Sequence, residues 1–278
     1  MILSQLDGKL AVVTGGSSGI GYSIAKGLAC RGANILLVAR NQDKLDDAAE
    51  KLRGVSSSNI EVLSADITQA EDVERLKKAV HSIAKAADIV VNSAGIVSAG
   101  LLDETPISEW HRLHDINVFG LVQMLQSLIP AMREQSKLDG QERHIVNMAS
   151  AAGLMGMPGM SAYGATKAAV IALSASLRVE LAPLKIGVTV VCPDFVQTPI
   201  AEAVQLFGRM KNPQTKKGIQ KRFKAAGLTP EIVAAKTLVA MEKNQSMVVV
   251  GKEAIWGYRL KRLSPKLVER MLSKMMRS

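Results

Sequence analysis

Residues 10–21 read Leu10-Ala11-Val12-Val13-Thr14-Gly15-Gly16-Ser17-Ser18-Gly19-Ile20-Gly21, an apolar run that gives way at once to a glycine-rich loop. Aliphatic and β-branched residues favour an extended strand, and glycines let the chain turn sharply and bring its backbone close to a ligand. The pattern that follows, over 19–31, has helical periodicity. A helix starting directly after such a turn aims free N–H groups and the positive end of its dipole at whatever sits over the loop, which suits a pyrophosphate. Gly15, Ser17, Ser18, Gly19, Ile20 and Gly21 are therefore the first candidate ligand contacts. A glycine run by itself is equally at home in a plain turn; its place between a strand and a helix near the chain start is what points to a dinucleotide.

Working outward, the same alternation repeats. Short apolar runs at 10–14, 35–39, 60–65, 89–92, 144–149, 187–192 and 247–250 read as strands, and the amphipathic stretches 19–31, 42–53, 70–85, 107–133, 161–184 and 230–242 read as helices. The strand runs are apolar almost throughout, as parallel strands covered on both faces must be. The expected fold is α/β: a single doubly wound parallel sheet of about seven strands with helices on both faces. Segment 199–228, rich in Lys, Gln and Gly and weakly periodic, breaks the rhythm and is expected to form a mobile lid.

A chain of 278 residues suits one α/β domain, here assigned to 1–251, followed by a C-terminal extension at 252–278. Hydrophobic residues make up 47% and charged residues 22%, which excludes a disordered chain. Cys30 and Cys192 lack metal-type spacing, so neither a disulfide framework nor a metal site is expected. No run reaches the ~20 apolar residues of a membrane span. The first eight residues lack the basic and apolar blocks of a secretory signal, so a cytoplasmic protein is expected.

The net charge of +10 is concentrated at the end, where 252–278 carries eight Lys or Arg against Glu253 and Glu269. Ser264 and Pro265 suit an N-cap and first helical residue. Beyond them Leu267, Val268, Met271, Leu272, Met275 and Met276 fall on one face, with Lys266, Arg270, Lys274 and Arg277 around the rest. Such a helix, preceded by Trp256 and Tyr258, suits peripheral contact with an anionic membrane; it suits equally well packing on its own domain or a partner subunit. Nucleic acid is not expected, because no aromatic stacking platform accompanies the charge.

Two further clusters carry chemistry. At the end of the second strand, where an NAD site offers a carboxylate to the ribose, the chain has Arg40; with Ser17 its guanidinium suits a 2′-phosphate, so the expected cofactor is NADP(H). An exposed loop arginine without a ligand fits the same position. Tyr163 and Lys167, four residues apart on a helix, share one face, and Ser150 ends the strand before them. A free phenol titrates near pH ~10, and an adjacent ammonium is expected to lower that value into a working range while Ser150 donates to a carbonyl oxygen. A half-buried Tyr with a snorkelling Lys fits the same spacing.

Taken together and in order, these residues resemble the short-chain dehydrogenase/reductase family from about Lys9 to Val250, a Rossmann-type fold. The matching motifs are the Thr14 to Gly21 loop, Asp66-Ile67, Asn92-Ser93-Ala94-Gly95, Ile116-Asn117-Val118, Ser150, Tyr163 with Lys167, and the stretch from Pro193 to Thr198; Ser150 precedes Tyr163 by 13 positions, as in the family. The resemblance implies catalysis by Asn117, Ser150, Tyr163 and Lys167. Tyr163 would donate the proton, Lys167 would bind the nicotinamide ribose, and Asn117 would hold a relay water. It implies cofactor contacts at Asp66 and Ile67 (adenine), Asn92, Ala94, Gly95 and Pro193, and at Val196 and Thr198 (carboxamide). It also implies a homodimer or homotetramer built through the helices at Ile107 and Ser161. Each position has a plain structural alternative: Asn117 a helix-kink residue, Asp66 a turn former, Asn92 a strand cap. Two positions depart from the family pattern, Ser93 in place of Asn and Asp194 in place of Gly.

Within the family, the glycine loop and the run Leu37 to Leu45 are similar to the 3-ketodihydrosphingosine reductases, although Pro193-Asp194 matches their motif imperfectly. Leu154, Met155, Met157, Pro158 and Met160 lie where a substrate wall is expected, and an adaptable apolar wall suits a bulky or lipid-like ketone. Ordinary core packing, a 3-oxoacyl or steroid-like substrate, and a non-catalytic NADP(H)-binding protein are the competing readings.

Overall fold

The computed structural model describes residues 6–275. Seven strands, β1 (Leu10–Thr14), β2 (Asn34–Ala39), β3 (Ile60–Ser64), β4 (Ile89–Asn92), β5 (Arg143–Met148), β6 (Ile186–Pro193) and β7 (Met247–Val250), form one parallel sheet in the order β3-β2-β1-β4-β5-β6-β7. This is the doubly wound Rossmann-type α/β fold expected from the sequence.

The two faces of the sheet explain why its strands are apolar throughout. Along β1, Ala11 and Val13 point into a core shared with α1 (Gly19–Ala29), α2 (Gln42–Arg53) and, much later in the chain, α9 (Pro230–Glu242). Leu10 and Val12 point to the other side, against α3 (Ala70–Ile83), α5 (Gly120–Asp139) and α7 (Ser161–Leu181). An alternation of period two therefore feeds both cores at once.

Strand order reverses between β1, whose chain continues to β2 on one side, and β4 on the other. Helices there leave to opposite faces, which opens a crevice at the strands' carboxyl ends.

Several elements differ from expectation. The single helix read over 107–133 is α4 (Ile107–His114) and α5, joined by a π turn at Asp115–Phe119 that places Asn117 in a local bulge. Segment 199–228, where the pattern offered no strand or helix, holds both: Gln205–Leu206 pairs with Ser98–Ala99, and α8 (Pro213–Ala225) follows. Asn212 caps α8 by accepting the Thr215 N–H at 2.8 Å, and Pro213 stands at its first turn. That Asn-Pro pair was the available signal, but α8 buries no residue, so hydrophobic periodicity was silent.

The extension holds two helices, α10 (Lys252–Leu263) and α11 (Pro265–Met275), where only the second was expected. On α11 Val268 is buried, while Leu267 and Met271 are 44% and 54% exposed, so the apolar face is only partly covered. Met276 and Arg277 lie outside the described residues. No helix among the described residues is long and apolar enough to cross a membrane, and no cluster of potential metal ligands occurs among them.

Candidate active site

The short α6 (Ala151–Leu154), directly after β5, completes a cleft of about 440 Å³ at the carboxyl ends of β1, β4, β5 and β6. One end is the glycine loop. Gly15 has φ +64°, and a Cβ there would lie 2.8 Å from the Ala94 nitrogen, so only glycine permits both the turn and this approach. Thr14 Oγ1 accepts the N–H groups of Ser93 at 3.2 Å and Ala94 at 3.3 Å, tying the first loop to the one after β4. Ser18 caps α1 in extended conformation with no side-chain cap, which leaves that helix start to a ligand's oxygens.

Most of the residues singled out from the sequence converge here. Gly15, Ser17, Ser18, Gly19, Ile20, Arg40, Ala94, Gly95, Ser150, Tyr163, Lys167, Pro193, Val196 and Thr198 all line the cleft. Gly21 does not; it is buried where the start of α1 meets the Gly15 carbonyl.

Four other residues also stand off the cleft: Asp66, Ile67, Asn92 and Asn117. Asp66 Oδ1 accepts the N–H and hydroxyl of Thr68 at 3.0 and 2.8 Å, and Ile67 is buried against Gly120. Asn92 lies in the sheet interior, donating to Asn147 Oδ1 at 2.8 Å, and its own Oδ1 is a buried acceptor without a partner.

Asn117 is likewise buried, and its side chain works as a clamp. Oδ1 accepts the Ile96 N–H at 2.9 Å, and Nδ2 donates to the Ile96 carbonyl at 3.0 Å and to Thr166 Oγ1 at 3.1 Å. Its amide thus holds the cleft loop 94–96 against α7. Both amide hydrogens and one lone pair of the oxygen are engaged in this clamp, and the residue sits in the π turn, a distortion common at functional sites.

At the floor of the cleft, Ser150 caps α6, its Oγ accepting the Ala152 N–H at 3.2 Å, and its hydroxyl is hydrogen-bonded to the Tyr163 phenol. Lys167, one turn along α7, donates from Nζ to the Met148 carbonyl at 3.0 Å and sits 5.8 Å from the centre of the Tyr163 ring.

The expected acidification of Tyr163 is reversed in the chain by itself. Burial pushes the phenol up to about 12, more than the Ser150 hydrogen bond pulls it down. Burial also lowers Lys167 to about 8, because a desolvated ammonium is disfavoured more than the nearby Cys192 thiol can favour it. At neutral pH the phenol is protonated and the amine charged, an arrangement fit to donate a proton.

The cleft also contains residues that sequence reasoning missed. Lys44 lines the same end as Arg40, brought there when Asn41 caps α2 by accepting the Lys44 N–H at 2.8 Å. Its signal was its place in the first turn after Arg40. Arg112 lines the other end, held by two 2.7 Å hydrogen bonds from Nε and Nη2 to the buried Glu109 carboxylate. Phe195 and Phe223 meet edge to face with ring centres 5.0 Å apart, closing the cleft from the α8 side. Nothing in the local pattern announces these contacts. Of the expected substrate wall, Met155, Met157 and Met160 line the cleft, whereas Leu154 and Pro158 do not.

A family described as short chain dehydrogenase matches residues 9–207. The chain belongs to the short-chain dehydrogenase family. It is thus an oxidoreductase, and it is 38% identical over 209 residues to an uncharacterized oxidoreductase of Staphylococcus epidermidis, covering 75% of this chain and 86% of that one. Among solved family structures, a short-chain dehydrogenase/reductase from Burkholderia phymatum in complex with NAD superimposes with a TM-score of 0.84 at 26% identity, covering 94% of this chain and 95% of that one. A short-chain dehydrogenase from Sphingobium yanoikuyae in complex with NADPH gives 0.73 at 28% identity and 87% coverage of each chain.

Proposed function

We propose that this chain reduces a bulky, apolar ketone to a secondary alcohol with NADPH, the long-chain ketone 3-ketodihydrosphingosine being one substrate of that class. The observation that carries the reading is the shared cleft: a glycine loop beneath an uncapped helix start and the Ser150, Tyr163 and Lys167 group face the same space. The cradle that a Cβ on Gly15 would fill and the open start of α1 fit a pyrophosphate. Arg40 and Lys44, both exposed and without side-chain ion pairs among the described residues, fit a 2′-phosphate.

When bound there, NADPH supplies the hydride. Ser150 donates a hydrogen bond to the ketone oxygen, and Tyr163 gives that oxygen its proton. Lys167 holds its positive charge beside the phenol, where it favours the phenolate left behind. Val196, Thr198, Ala94, Gly95 and Pro193 complete the walls around the dinucleotide, while Met155, Met157 and Met160 exclude water from the substrate's apolar part.

In domain terms, 1–251 is the catalytic unit with 199–228 as its cover and 252–278 as an extension. Exposed Ile107 and Val179 on α4 and α7, 70% and 75% accessible, support a homodimer or homotetramer through these helices. A second reading for the extension is peripheral contact with anionic membranes. Trp256 and Leu263, 70% and 85% exposed, share a face of α10 with Lys252 and Arg259, and equal liposome sedimentation with and without anionic lipid would dispose of it.

The test of function is Tyr163→Phe. NADPH binding, followed by fluorescence, should persist while ketone-dependent NADPH oxidation falls at least ~100-fold. Retained turnover rules out the catalytic reading, and no turnover by wild type over a graded ketone series favours a non-catalytic NADP(H)-binding protein.

A further inference from the structure

Asp194 stands where the family pattern has glycine, and the structure gives its carboxylate two partners. Oδ1 accepts the Phe195 N–H at 2.9 Å, and Oδ2 accepts the Ala254 N–H in the first turn of α10 at 3.0 Å. The Asp194 N–H in turn donates to the Val250 carbonyl at 2.8 Å. α10 has no side-chain cap of its own: its N-cap is Gly251, at φ +116°, and a Cβ there would lie 2.5 Å from Asp194 Cβ. A glycine at position 251 lets the aspartate come this close, and the aspartate then supplies the missing cap with a charge of the right sign for a helix N-terminus.

The other end of α10 rests on the substrate wall. Lys261 Nζ donates to the Leu154 carbonyl at 2.8 Å, and Gly257 packs so near Met155 that an added Cβ would meet its sulfur at 2.5 Å. Met155 and Asp194 both line the cleft. A helix is stiff over the two turns between Ala254 and Lys261, so a restraint at one end fixes the position of the other.

We infer that Asp194 is a positioning residue that makes α10 a strut between the loop at 193–198 and the wall at 154–155, so that the C-terminal extension sets the width of the substrate cleft. The kinetic side of this inference rests on the ketone-reductase reading; the structural side does not.

The test therefore has two arms on the full chain. In hydrogen exchange without substrate, Asp194→Ala should speed exchange at Phe195 and Ala254 about tenfold, the effect of losing a charged cap, and should also speed it at 154–157. Asp194→Asn, which keeps one acceptor oxygen and loses the charge, should fall between the two. In kinetics, Asp194→Ala should raise KM for a long-chain ketone more than KM for a short one. Should Asp194→Ala fail to fold, Asp194→Asn and Gly257→Ala carry the test, the latter disturbing 154–157 while leaving the Phe195 amide protected. Wild-type protection at 154–157 in Asp194→Ala, or in Asp194→Asn where the alanine variant cannot be made, overturns the strut and leaves Asp194 a local cap. Absence of turnover in wild type removes the ketone reading alone, because the exchange result stands without it.

Discussion

Raising the pH from 7 to 10 should drive activity and stability of this protein in opposite directions through one side chain. Lys167 is 5% exposed, and burial lowers its pKa from 10.5 to about 8, a gap of roughly 3 kcal/mol against the charged form. Because the folded-state value is depressed, the folded chain binds fewer protons than the unfolded one between about pH 8 and 10.5, and stability rises with pH across that window. Buried Tyr163 and Cys192, both pushed up to about 12, act with the opposite sign once their unfolded counterparts ionise, so the Lys167 contribution is cleanest between about pH 8 and 9. There it amounts to about 1 kcal/mol.

In the proposed reaction the ammonium that would stabilise the phenolate left after proton donation is lost over the same range, so kcat/KM for NADPH, which reports the free enzyme, should fall as pH passes about 8. Urea unfolding and initial rates at half-unit pH steps check both signs, with Lys167→Met as the reference in which the excess stability slope disappears. A kcat/KM flat to pH 9.5, with wild type and Lys167→Met showing the same stability slope between pH 8 and 9, would refute the assignment of a charged, buried amine to this site.

Two further outcomes are expected. Arg40→Ala and Lys44→Ala should each raise KM for NADPH about tenfold and leave KM for NADH nearly unchanged, since each removes one charged contact worth ~1.5 kcal/mol to a 2′-phosphate; equal losses with both cofactors would assign these residues to the common part of the dinucleotide. His144 is buried, contacts Thr189 Oγ1 at 2.8 Å through Nε2, and is lowered from 6.5 to about 3 by burial and by the nearby Arg178 charge. Its depressed value means stability is lost as pH falls below 6.5, and His144→Gln should flatten the unfolding free energy between pH 6.5 and 5, as read by chemical denaturation.

The sequence by itself determined the elements and the chemistry carried by single segments. Period-two and period-3.6 patterns are local, so β1, β4 and β7 appear at their expected residues, and α2 and α9 match their expected ends. Tyr163 and Lys167 share a face because four residues make about one helical turn, and Ser17, Arg40 and the glycine loop are read from strand ends.

Tertiary structure decided everything that depends on which segments meet. Arg112, Phe195 and Phe223 enter the cleft through packing between elements distant in the chain, and α8, without a buried face, leaves no periodic trace. The direction of the Tyr163 shift was read wrongly from the sequence because the neighbouring ammonium was visible there and the depth of burial was not. Asp194 looked like a mere departure from pattern until the fold brought Ala254, sixty residues later, to its carboxylate. Local propensity acts through neighbours in the chain, whereas desolvation and long-range hydrogen bonds act through neighbours in space, and only the fold defines those.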